Sequence, residues 1–126
     1  MDRAYGFLEI TGVTAAVDAL DIMLKTAGVS FESWERKLGG RLVTIIISGE
    51  VAACTEAIEN AASKAVKKPV STGVMANPHD EIAKLVKVSR SRWEKQWKEY
   101  LADSGNKGSS GEESDGDQDQ SYLYTV

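Results

Sequence analysis

The chain has 126 residues and a mass of 13.6 kDa, a size that fits one compact domain. Hydrophobic residues make up 42% and charged residues 27%, and the absence of any run of about 18 apolar residues excludes a membrane-spanning helix. The net charge of −4 is unevenly spread: Asp103–Gln120 holds six acids and one base, which leaves 13 acids and 14 bases in the remainder, so that what folds is close to neutral and is not a general polyanion binder.

Ala4–Thr11 alternates with period two and carries Tyr5 and Phe7, the pattern of a strand. Val13–Ala27 repeats apolar residues at helical spacing (Ala16, Val17, Leu20, Met23, Leu24, Ala27), with Thr14 as expected N-cap and Gly28 as C-cap. Val29–Lys37 reads as a second strand. Leu38-Gly39-Gly40-Arg41 is a turn, and Leu42–Ile47, an unbroken run rich in β-branched residues, is a central strand. Glu50–Val66 is an alanine-rich helix that Pro69 follows. Val70–Ala76 is a short strand, Asn77-Pro78 a turn, and a third helix runs from His79 to about Tyr100 with Ile82, Leu85, Val86, Trp93, Trp97 and Leu101 as its apolar stripe.

The order β-α-β-β-α-β is that of an α+β, ferredoxin-like split βαβ sandwich with an additional C-terminal helix. Three regions are expected: 1–82 as the domain, 83–102 as a basic, Trp-containing helix, and 103–126 as an acidic Gly/Ser-rich tail with too little to bury to become ordered. Met1–Tyr5 leads directly into strand pattern without a signal-peptide core, and the single Cys54 suits a reducing cytosol.

Catalytic chemistry has little support. His79 sits at a helix start, where its ring can contact backbone, and no Ser or Cys stands in a nucleophile motif. Cys54 among alanines reads as a small buried residue. Asp18 and Asp21, three apart on the first helix, read as a solvated or inter-subunit face. One cysteine and one histidine do not supply the ligands of a zinc site within one chain, so neither a metal nor a cofactor is expected.

Lys37-Leu38-Gly39-Gly40-Arg41 is either a plain hairpin turn or a loop whose amides face an anionic or polar solute. The third helix interleaves Lys84, Lys87, Arg90, Arg92, Lys95 and Lys98 with Trp93 and Trp97, which share a face. A docking face, on its own domain or on a partner protein, is favoured there over a nucleic-acid or membrane-surface helix.

With these residues in place, the chain resembles the single-domain, hexamer-forming shell proteins of bacterial microcompartments. The resemblance rests on Ala4–Gly12, Ala16–Asp21, Lys25–Val29, Lys37–Thr44, Ser48–Ala53 and Pro78-His79, in family order and with nearly gapless spacing over about residues 3–82. It implies a non-enzymatic shell component of the bacterial cytoplasm whose flat homohexamers tile edge to edge with other shell proteins, with encapsulated enzymes as further possible partners. The loop Lys37, Leu38, Gly39, Gly40 and Arg41 would ring a central pore for small polar metabolites. Arg41 stands where the family often has glycine, pointing either into the pore or out to brace the subunit interface.

Lys25, Gly28, Asn77 and His79 would form the hexamer edge. Gly28 replaces a common asparagine and Asn77 the arginine of the usual Pro-Arg-Pro-His segment, which implies a specialised or mixed-sheet component. Trp93 and Trp97 would dock on the concave face or recruit a partner. The rival readings are a ferredoxin-like small-molecule-binding regulator and a nucleic-acid-binding module built on the C-terminal helix.

Overall fold

The computed structural model describes residues 3–26, 28–36 and 41–110, the last seven of these as backbone. Seven elements follow one another: β1 (Ala4–Thr11), α1 (Val13–Lys25), β2 (Val29–Arg36), β3 (Leu42–Gly49), α2 (Val51–Lys64), β4 (Ser71–Met75) and α3 (Asp80–Ser110). The sheet order is β2-β3-β1-β4 with every pairing antiparallel, the split-βαβ arrangement that the element order predicts. The apolar run of β3 takes a central place, between β2 and β1.

Period two sorts the sheet into two faces. Leu8, Ile10, Val43, Ile45 and Ile47 point to one side, where Ala15, Ala16, Ala19 and Met23 of α1 and Cys54, Ala57, Ile58 and Ala61 of α2 close the main core. Small side chains on both helices let them lie close to the sheet and to each other. On the other face Tyr5, Phe7 and Ile46 meet Ile82, Ala83 and Val86 of α3.

Several expectations change. Helix α1 begins one residue after Gly12, whose carbonyl accepts from Ala16 N at 3.0 Å, so Gly12 and not Thr14 is the N-cap. Gly12 N also donates to Arg41 O at 2.7 Å, and this forced reversal between strand and helix takes φ to 97°, a value that suits glycine. At its other end α1 is capped by Thr26, with Gly28 two residues further on at φ 89°. The buried stripe of α1 is also rotated: Ala15 and Ala19 are inside, while Val17 and Leu24 are exposed. On α3, Leu85 and Leu101 likewise face solvent.

Helix α3 runs to Ser110, ten residues past Tyr100 and into the segment expected to be disordered. The expected boundaries at 82/83 and 102/103 therefore fall inside one helix. Composition weighs what a segment can bury, whereas extending an existing helix avoids the cost of nucleation. Residues 111–126 lie outside the described residues.

Candidate functional site

The antiparallel register divides the expected site residues between two ends of the sheet. At one end β1 finishes opposite Leu42, the first residue of β3, and Val70 N donates to Glu9 O at 2.7 Å just before β4. The hairpin that joins β2 to β3 is at this end. Its residues Lys37, Leu38, Gly39 and Gly40 lie outside the described residues, and Arg41 stands at its exit. At the opposite end Ala4 pairs with Gly49, Gly49 with Val29, and Tyr5 with Met75. The Gly28 turn and the Asn77–His79 segment flank these pairs, and α1 delivers Lys25 to the same side. An eight-residue strand separates the two ends by about 24 Å.

Arg41 is exposed, but its backbone is fixed by the bond from Gly12 N. Beside it a shallow hollow of about 400 Å³ is lined by Thr11–Ala15, Arg41, Val66 and Lys67. Lys67 Nζ donates to Thr11 O at 3.4 Å. Two cations and the first N–H groups of α1 thus share one end of the subunit, an arrangement that favours anionic or polar solutes.

The residues expected at the edge have their own local chemistry. Lys25 Nζ lies 2.9 Å from Asp21 Oδ2, and that hydrogen bond, with the charge behind it, raises the lysine pKa. Asp18 accepts from Val66 N at 2.9 Å, tying α1 to the segment after α2. The two acids therefore act separately. Asn77 adopts φ 50°, unusual for a residue other than glycine. His79 Nδ1 accepts from Glu81 N at 3.0 Å while its carbonyl accepts from Ile82 N and Ala83 N, so His79 caps α3.

Trp93 docks on its own domain, edge to face with Phe31 at 5.5 Å. Trp93 and Trp97 stack at 6.2 Å, and Trp97 and Tyr100 at 5.8 Å. Arg90 reaches Phe31 O at 2.8 Å and pairs with Glu32 and Glu94, and Arg92 pairs with Glu35 at 3.0 Å. These two arginines hold α3 to β2, a use that competes with binding phosphates. Cys54 is buried, with Sγ 3.8 Å from Ala4 O, and desolvation pushes its thiol up, the opposite of what a nucleophile needs.

Sequence reasoning missed the polar strap beneath α3. Ser33 and Ser89 share a hydrogen bond, Ser89 donates to Glu35, and Ser48 donates to Glu32 while accepting from Arg3. The only trace of it in the sequence is the serine that interrupts the stripe between Val86 and Trp93.

Residues 4–78 match the model of the BMC domain family. The bacterial microcompartment shell protein PduA of Salmonella typhimurium is 36% identical over 86 residues, covering 67% of this chain and 90% of PduA. The shell protein EutK of Escherichia coli is 38% identical over 88 residues, covering 68% of this chain and 52% of EutK. The carboxysome shell protein CcmK1 of Synechocystis is 31% identical over 105 residues, covering 80% of this chain and 94% of CcmK1. A crystal structure of a microcompartment protein from Desulfitobacterium hafniense superposes with a TM-score of 0.61 at 21% identity, over 69% of this chain and 48% of that one, and shares the fold.

Proposed function

The chain belongs to the BMC domain family of microcompartment shell proteins, and from that premise we infer that it is a structural, non-enzymatic shell subunit of the bacterial cytoplasm. It assembles as a cyclic homohexamer that tiles with other shell proteins into the facet and carries a central pore for small polar metabolites. The observation that carries this reading is the family match over residues 4–78, a span that takes in all four strands and both helices of the main core.

The separation of the two ends supports the division of labour. Arg36 and Arg41, on either side of the Lys37–Gly40 segment, and Lys67 lie at one end, which faces the six-fold axis in this reading. Lys25, Gly28, Asn77 and His79 lie at the other, which forms the outer rim. Six copies of a Gly39-Gly40 turn allow close backbone approach at an axis, with amides presented to the solute. The exposed apolar side chains Val17, Leu24 and Val51 on the helices, and Val66 and Val70 near β4, gain cover between subunits. Specific shell partners and any encapsulated enzyme bound through α3 belong to this same reading.

Native mass measurement with electron microscopy of the purified protein tests it. Hexamers that form sheets, tubes or mixed shells with a second shell protein are expected. A monomer or dimer that never assembles, alone or with other shell proteins, overturns it.

A further inference from the structure

The aromatic ladder of α3 ends in solvent. Trp97 is 40% exposed and Leu101, four residues on and on the same face, is 50% exposed. With Trp93 and Tyr100 they make an apolar platform of stacked rings, with the exposed Lys98 beside it.

The chain beyond α3 has the complementary chemistry. Residues 111–121 carry Glu112, Glu113, Asp115, Asp117 and Asp119 with no base. The hydrophobic side chains that follow Ala102 are all in the last five residues, Tyr122-Leu123-Tyr124-Thr125-Val126. We propose that Tyr122–Val126 folds back onto the Trp97–Leu101 face of α3 in the same chain, with the acidic stretch running past Lys98.

Reach allows this face. Trp97 lies about 20 Å before Ser110 at 1.5 Å per helical residue, whereas residues 111–121 extend to at least about 36 Å. An alternative hollow of about 420 Å³ has apolar walls from Phe7, Ile46, Met75 and Leu85 and the charged pair Glu35 and Arg92 at its edge. It starts at Arg92, about 27 Å from Ser110 by the same rise, farther than Trp97, and the base on its wall is already paired with Glu35. Opposite charges along the return path raise the local concentration of the apolar end at its platform. The inference goes beyond the shell reading and does not depend on it.

The test uses the full-length protein with ¹⁵N in its tryptophan indoles and a nitroxide on Ser121→Cys. Cys54, buried and with a raised thiol pKa, stays unlabelled under native conditions. The Trp97 indole signal, assigned with Trp97→Phe, is expected to be lost. The Trp34 signal, from a ring packed against the core on the other face of the sheet, should persist. Lys98→Glu, or serine at Tyr122, Leu123 and Tyr124, should restore Trp97. A Trp97 signal as strong as that of Trp34 overturns the proposal. So does broadening of ¹⁵N chains without nitroxide when mixed with nitroxide-bearing ¹⁴N chains, because the tail would then serve a second copy.

Discussion

The hydroxyl of Ser33 on β2 donates to the hydroxyl of Ser89 on α3 across 2.7 Å, and both residues are buried. The direction follows from proton counting. Ser89 has one hydroxyl proton and gives it to Glu35, a carboxylate that only accepts, so the proton between the two serines is that of Ser33. Arg92 completes the relay by donating to the same carboxylate. Ser89→Ala leaves the Ser33 hydroxyl buried without an acceptor and removes a bond to a charged group. A loss of about 1–3 kcal/mol is expected, read by urea unfolding. Amide exchange should accelerate along α3 while remaining slow in β1 and β3. Replacing both serines by alanine should cost less than the two single changes together, because neither hydroxyl is then stranded.

How far such a contact is legible from sequence depends on which link of the fold it occupies. Strands β1 and β3 are plain in the sequence because period two and β-branched runs are local properties, and the order of elements then leaves few topologies. The cap at Gly12 is not, because it follows from Arg41 reaching across to Gly12 N, a contact 29 residues distant. The exposure of Val17 and Leu24 belongs to the same class, since helical spacing gives a stripe but the neighbouring sheet and α2 set its angle. Of the site, the Gly-Gly turn, Lys25 and Asn77 are legible as residue types. Their division between opposite ends of the sheet requires the register, and the strap beneath α3 requires the packed helix itself.

Gly49 and Gly28 meet backbone to backbone. A Cβ on Gly49 would stand 2.5 Å from the Gly28 carbonyl oxygen, and neither atom can move without shifting a strand end. Gly49→Ala is expected to cost about 1–3 kcal/mol through overpacking. Gly28→Ala meets the Ala53 methyl at 3.1 Å and must hold φ 89°, a strain of about 1–2 kcal/mol. Thermal unfolding of the two variants checks both values.

Alkaline pH should weaken the subunit in two stages. Burial raises the Cys54 thiol above its ordinary value of 9.0 and, with Glu32 nearby, the Tyr5 phenol above 10.0. For both groups the folded state binds the proton more tightly than the unfolded chain. Stability is therefore complete below the unfolded pKa and declines as pH rises towards the folded one, with a limiting slope of about 1.4 kcal/mol per pH unit for each group. Unfolding midpoints between pH 8 and pH 11 should fall first from pH 9 and more steeply beyond pH 10. Cys54→Ala should remove the earlier decline and Tyr5→Phe the later one.

The rim makes its own demand on assembly. Lys25 is exposed and paired with Asp21, and in the shell reading it lies on the outer rim, where its ammonium contributes nothing to the core. Lys25→Ala should leave the hexamer mass and its unfolding midpoint unchanged while abolishing sheets in electron micrographs. Asn77 presents the complementary case. At φ 50° it occupies a left-handed turn that asparagine tolerates better than longer side chains, and its short amide reaches less far across a seam than a guanidinium. Asn77→Arg should therefore lose about 1 kcal/mol of subunit stability to backbone strain and yet form larger sheets at lower protein concentration. If sheet formation by Asn77→Arg matches that of the native chain, the Asn77 turn lies away from the hexamer seam, and Lys25 must find its partner elsewhere on the rim.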